Sequence, residues 1–203
     1  MNGLAFSGRA ASGKSSLARA VRAVLSERGQ PALVLSFAEA IKKEVWEEYG
    51  LSKDDLGGRE AIIKHGDFRR ATDPLYWCRK VAPLIQSAQN DGVLPIVDDL
   101  RFRTEASFLR ARDFHLCRCV APAWLREQRL EETGQDPSFA LSTDPSETQL
   151  AGWDGFDTKI YRGGGPGYTA TDRALTLLSL LDKKGEESRS LLPLLRTVPA
   201  SPF

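Results

Sequence analysis

Short apolar runs alternate along this chain with longer stretches in which apolar residues recur every three or four positions. The first run, Leu4-Ala5-Phe6, reads as a buried strand. Leu17, Val21, Val24 and Leu25 then share one helical face, and Gly29 with Pro31 stops the helix. Residues 32–37 read as a second strand and 38–49 as a helix. Gly57-Gly58 interrupts the pattern before a helix over 59–71. Asp73-Pro74 opens another, with Pro74 in its first turn and Trp77, Val81, Leu84 and Ile85 on one face. A buried strand over 93–97 ends in Asp98-Asp99, and helical signal runs on to about residue 112. Residues 115–120 read as a strand, 123–133 as a charged helix and 134–144 as a mobile polar loop. A short strand over 158–161, a glycine cluster over 163–167 and a helix over 171–184 complete the series. The tail, rich in Ser, Leu and Pro, is expected to be partly disordered or to pack as an appendage. This alternation predicts an α/β fold, a doubly wound parallel sheet between helical layers with right-handed crossovers. One domain over 1–184 is expected, with a lid near 122–150 and a tail over 185–203. Ligands of such sheets bind beyond the carboxyl ends of the strands.

Composition narrows the partners. The chain has 203 residues, 41% hydrophobic and 27% charged, with a formal net charge of +1, which is ordinary for a soluble domain. That balance offers no broad footprint for a nucleic-acid polymer. No run approaches a membrane span, and no signal peptide precedes the first strand. Cys78, Cys117 and Cys119 form neither a C-x-x-C pair nor a zinc spacing, so reduced thiols and a cytoplasmic location are expected. A homodimer is left open.

The chemistry begins immediately after the first strand. Gly8-Arg9-Ala10-Ala11-Ser12-Gly13-Lys14-Ser15 spells G-x-x-x-x-G-K-S between a strand and a helix, the context a phosphate-binding P-loop requires. Gly8 and Gly13 let successive N–H groups turn inward on an anion, and the helix N-terminus adds partial positive charge. Gly8, Arg9, Ala11, Ser12, Gly13, Lys14, Ser15 and Ser16 are therefore candidate contacts for ATP. Lys14 reaches the outer phosphates, and Ser15 is placed for Mg²⁺. No Asn-Lys-x-Asp guanine-reading motif is present, which argues against a GTPase. At the end of the third strand, Asp98 can hold the Mg²⁺ shell or cap a helix. Asp99 can serve the metal or the acceptor substrate, and Arg101 and Arg103 can clamp phosphate oxygens. Arg59, Lys64, Arg69 and Arg70 followed by Tyr76-Trp77 suit a nucleoside monophosphate, charge meeting phosphate and a flat ring meeting base. Arg126 and Arg129 fall where a lid would close over the triphosphate, although an exposed amphipathic helix fits them too. His65 and His115 read as structural, and the 163–167 glycines as a turn.

Taken together, these motifs resemble the deoxynucleoside monophosphate kinases of tailed bacteriophages. The resemblance spans about residues 1–184. It rests on the P-loop, Ser36-Phe37-Ala38 leading into Ile41-Lys42, Tyr76-Trp77, Asp99-Leu100-Arg101 with Glu105, and Pro145-Ser146-Glu147 with Leu150 and Phe156-Asp157. It implies transfer of the γ-phosphoryl of ATP to a deoxynucleoside monophosphate with Mg²⁺, in the host cytoplasm for a phage-encoded chain. It also implies that Phe37, Arg59, Arg70, Trp77, Asp99, Arg101, Glu105, Ser146 and Glu147 line the acceptor site, with Lys14, Asp99 and Arg101 catalytic. The chain departs from the pattern in three places. Ala121 stands where an arginine usually follows the strand before the lid, Tyr161-Arg162-Gly163 replaces Asn-Asp-Gly, and Asp144 replaces a histidine. Kinases of other phosphorylated metabolites, such as phosphomevalonate or dephospho-coenzyme A, share the fold and are separated only by the Trp and Ser-Glu segments, and an ATP-binding switch protein is a further alternative.

Overall fold

A computed structural model of the chain describes residues 1–161 and 169–195, with side chains as far as Lys183. The 163–167 glycines and the last eight residues lie outside the described residues. Five parallel strands form one sheet in the order β2-β3-β1-β4-β5. They are β1 (Gly3–Ser7), β2 (Ala32–Leu35), β3 (Leu94–Leu100), β4 (Phe114–Val120) and β5 (Thr158–Tyr161). The helices are α1 (Lys14–Glu27), α2 (Phe37–Tyr49), α3 (Gly58–Thr72), α4 (Tyr76–Asn90), α5 (Arg103–Arg110), α6 (Ala123–Glu132), α7 (Pro145–Thr148) and α8 (Ala170–Leu195).

The period-2 alternation of the central strands divides the core in two. Leu4 and Phe6 point to one face and pack with Leu17, Val21, Leu25, Cys117, Cys119 and Leu177 beneath α1 and α8. Ala5, Val97, Leu100 and Leu116 point to the other, against Phe37, Val45, Trp77, Val81 and Ile85 of α2 and α4. Helices thus cover both faces, and the strand ends from β1, β3 and β4 open on one edge. All three cysteines are buried, and none forms a disulfide among the described residues. No helix among the described residues is long and apolar enough to cross a membrane.

Four boundaries differ from the pattern. β3 continues through Asp98 and Asp99 to Leu100, because Leu100 pairs with Ser7. Residues 36 and 37 leave β2: Asp99 takes the N–H groups of Phe37 and Ala38 and starts α2 there. The expected mobile loop after α6 holds a 3-10 turn, Pro137–Leu141, pinned by buried Ala140 and capped by Asp136, which accepts from Ser138 N–H. Finally, α8 runs to Leu195, eleven residues beyond the expected end. One interior glycine costs a helix about 1 kcal/mol and does not end it, so Gly185 is no stop.

Candidate functional site

The turn between β1 and α1 is built for close backbone approach. A Cβ on Gly8 would lie 2.4 Å from Ser12 Oγ and 2.6 Å from the Cys119 carbonyl, so no other residue fits. Gly13 takes φ +90° as it enters α1, and Ala11 holds the left-handed conformation at φ +56°, a strain of the kind that collects at functional turns. Lys14 Nζ donates to the carbonyls of Gly8 at 2.6 Å and Arg9 at 2.9 Å, bringing its ammonium over the start of the loop. Burial, then the nearby charge of Arg101, lowers the Lys14 pKa to about 8. Ser12 Oγ is buried without a hydrogen-bond partner in the structure, as is Arg9 Nε. Two orphaned polar atoms lining a narrow, N–H-rich turn fit a phosphate, whose oxygens would satisfy them.

Asp98 and Ser15 meet: a hydrogen bond from Ser15 opposes the upward push that burial gives the Asp98 carboxyl. A hydroxyl beside a carboxylate at the helix N-terminus is a donor set suited to Mg²⁺, so the two residues expected to hold the metal lie together. Ser16 is exposed on the first turn of α1.

The neighbouring strand end does different work. Asp99 Oδ2 accepts from Ser36 Oγ at 2.7 Å and Ala38 N–H at 2.8 Å, while Oδ1 accepts from Phe37 N–H at 2.9 Å. Both carboxylate oxygens are thus engaged in capping α2. In this position Asp99 holds Phe37 and Ala38 at the start of α2. Glu105 likewise reaches back to the N–H groups of Arg101 (2.9 Å) and Phe102 (3.0 Å), closing the first turn of α5. Burial, then the charge of Asp99, raises its pKa to about 7. Its other oxygen lies 3.9 Å from Arg70, whose guanidinium also stacks 4.1 Å over the Phe102 ring.

Beyond the loop lies a cavity of about 730 Å³ between α2, α3, the end of β3 and the segment after α6. Phe37, Arg59, Arg70, Asp99, Arg101, Glu105, Ser146 and Glu147 all line it. Trp77 does not. It is 1% exposed, packs in the α2–α4 core and donates its indole N–H to the Gly66 carbonyl at 3.1 Å, so no ligand can stack on it. The aromatic wall is supplied instead by Phe139 of the 3-10 turn, with Arg59 stacked 4.2 Å over its ring. Sequence spacing gave no reason to single out Phe139, because the turn that carries it reads as plain loop. Lys42 and Lys53 also line the cavity and were likewise missed as site residues.

Arginines converge where loop and cavity meet. Arg129 Nη1 donates to the Ala11 carbonyl at 2.8 Å, tying α6 to the phosphate loop. Arg126 donates to the carbonyls of Ala121 and Ala140, and Arg9 to that of Ser142, so both brace the segment after α6. Arg118, unforeseen from the pattern, projects from β4 to Ser7 Oγ at 2.9 Å. A charged residue between two buried cysteines at a strand's carboxyl end was the available signal. Glu147 sits among them. Its Oε2 accepts from Ala10 N–H at 2.6 Å and its Oε1 binds Arg101, which also donates to the Ser146 carbonyl at 3.1 Å.

His65 lies outside the cavity. With Arg69, Tyr76 and Lys80 it surrounds Glu44. Burial pushes the Glu44 carboxyl up, but the hydrogen bonds from Lys80, Tyr76, His65 and Arg69 outweigh it and hold the pKa down at about 2.

No protein-family model and no curated protein matches the sequence. Solved structures match in shape. The Mycobacterium tuberculosis APS kinase, in complex with AMPPNP and APS, shares 17% identity at TM-score 0.55, covering 89% of this chain and 98% of its own. A gluconokinase from Sinorhizobium meliloti gives 15% and 0.56, covering 92% and 97%. The Deinococcus radiodurans tunicamycin resistance protein gives 18% and 0.57, covering 89% and 96%. The chain shares with these structures a three-layer α/β fold, a parallel sheet between helices. At such identities the likeness is one of architecture, and substrates must be argued from the site.

Proposed function

We propose that this protein is an ATP-dependent kinase whose acceptor is a deoxynucleoside monophosphate. The observation that carries the reading is the cavity beside the phosphate loop. It is lined by Lys42, Lys53, Arg59, Arg70 and Arg101 and by the Phe139 ring, cations for a phosphate and a flat ring for a base. The carboxylates that share this wall are largely engaged: Asp99 and Glu105 on backbone N–H groups, Asp67 on Arg70, Asp144 on Ser146 N–H. The wall also carries Asp54 and Glu147, and Lys42, Lys53, Arg70 and Arg101 pair with Glu39, Asp54, Asp67 and Glu147, so an incoming phosphate would compete with those carboxylates for the cations. An acceptor phosphate is already a nucleophile, so no general base is required, and catalysis consists of placement and charge neutralisation. Lys14 and the arginines supply the charge, and Ser15 with Asp98 would hold Mg²⁺. The metal, when bound, withdraws charge from the phosphate oxygens.

A second reading, a kinase of another phosphorylated metabolite, is favoured by one observation: Trp77, on which the phage-kinase resemblance relies for the nucleotide, is buried in the core. ADP release measured across dAMP, dGMP, dCMP, dTMP, phosphomevalonate and dephospho-coenzyme A separates the two. Turnover with at least one deoxynucleotide and none with the other metabolites is expected, and the reverse refutes the nucleotide acceptor. ADP release independent of any acceptor would point to a switch protein instead. Arg101→Ala should raise the acceptor KM about tenfold, the loss of one charge-assisted contact.

A further inference from the structure

Glu147 holds two groups that an anionic phosphate would need. Gly-rich loops cradle the inner phosphates with the N–H groups at the helix end, and the loop lysine reaches the outer ones. Lys14 Nζ rests on the Gly8 and Arg9 carbonyls, which marks the start of the loop as the outer-phosphate end. Ala10 N–H lies there, and it donates to Glu147 Oε2 at 2.6 Å. The other oxygen of the same carboxylate engages the Arg101 guanidinium. Its side chain is only 10% exposed, and it lies within electrostatic reach of Lys14, Arg118 and Arg126 as well. A carboxylate and a phosphate oxygen cannot both take this N–H and this guanidinium, since like charges at contact distance repel.

We propose that Glu147 is a built-in competitor for the outermost phosphate of ATP, a carboxylate that must leave Ala10 N–H and Arg101 before the triphosphate is fully seated. The inference rests on the nucleotide-binding reading of the loop but not on any particular acceptor. The element that carries Glu147 is suited to withdrawal. α7 is a single turn without a buried residue, held by the Asp144 cap on Ser146 N–H, by the Arg101 bond to the Ser146 carbonyl and by a bond from Arg103 N–H to Gln149 Oε1. The next firm anchor is Leu150, buried in the core. Displacing Glu147 would free Arg101 for the transferred group at the moment the outer phosphate arrives. The residue thus weakens the binding of a triphosphate relative to a diphosphate.

The test is Mg²⁺-dependent binding of ATP and ADP to the full chain by calorimetry, for the wild type, Glu147→Gln and Glu147→Ala. Both variants should bind ATP about tenfold more tightly, which corresponds to about 1.4 kcal/mol of competition removed, and should bind ADP as the wild type does. Unchanged or weaker ATP binding would overturn the proposal and make Glu147 a support for Arg101. Equal gains for ATP and ADP would overturn its assignment to the outermost phosphate. Thermal unfolding checks that the variants fold. An independent measurement needs no variant: hydrogen exchange over residues 144–149 of the wild type should quicken with a non-hydrolysable ATP analogue and not with ADP, and slowing or no change would also overturn the proposal. A wild type that binds neither nucleotide would end the nucleotide reading itself, a result distinct from a failure confined to the variants.

Discussion

Removing the Asp99 carboxylate should damage the fold before it damages the chemistry. Asp99→Ala deletes the acceptor of three hydrogen bonds at the start of α2, from Ser36 Oγ and from the N–H groups of Phe37 and Ala38. Each such bond contributes about 1 kcal/mol net, so the loss is about 3 kcal/mol. For a chain of this size 1 kcal/mol shifts Tm by about 2–4 °C, which places the fall at roughly 6–12 °C. Asp99→Asn keeps one acceptor oxygen and should lose about half as much. Because Phe37 and Ala38 line the cavity, the acceptor KM should rise with the loss of stability, while turnover at saturating acceptor changes less. Calorimetric unfolding and steady-state kinetics on the same preparations make the comparison. Wild-type Tm in both variants together with collapsed kcat would refute the capping role and return Asp99 to catalysis.

Three further outcomes follow from the same geometry. Lys14 has a pKa lowered to about 8, and an incoming triphosphate must raise it, so ATP binding near pH 8 should take up protons. Calorimetric heats that do not vary with the buffer's ionisation enthalpy would remove Lys14 from the phosphate site. Between its ordinary pKa and about 7, Glu105 retains in the folded state a proton that the unfolded chain releases, so its contribution to stability falls as pH rises through that window. Glu105→Gln should flatten the decline of Tm from pH 5 to 8, and an unaltered slope would contradict the buried protonated carboxyl. Trp77→Phe should cost about 1–3 kcal/mol through the lost indole bond to the Gly66 carbonyl and the space the smaller ring leaves in the core, and leave the acceptor KM unchanged. A raised KM without a fall in Tm would bring Trp77 back to the ligand.

The order of elements and the phosphate loop are determined by the sequence alone, because both depend on near neighbours in the chain. Period-2 runs and 3.6-residue faces are local patterns, and Gly8, Gly13, Lys14 and Ser15 act through backbone geometry within a single turn. The general location of the acceptor side was legible for a related reason: parallel strands bring their carboxyl ends to one edge, so Asp98, Asp99 and Arg101 had to lie near the loop. What each side chain does there was decided only in three dimensions. A carboxylate at a strand end can hold a metal, activate an acceptor or cap a helix, and the N–H groups that claimed Asp99 come from residues about sixty positions earlier. Trp77 fell on a helical face that could meet core or ligand, and the packing of α2, α3 and α4 chose the core. Phe139 and Glu147 became site residues because the segment after α6 folds back over the loop, bringing Glu147 to Ala10 across 137 positions of chain. Periodicity carries no information about contacts at that range, since they are fixed by competition among all the donors and acceptors that the closed fold brings together.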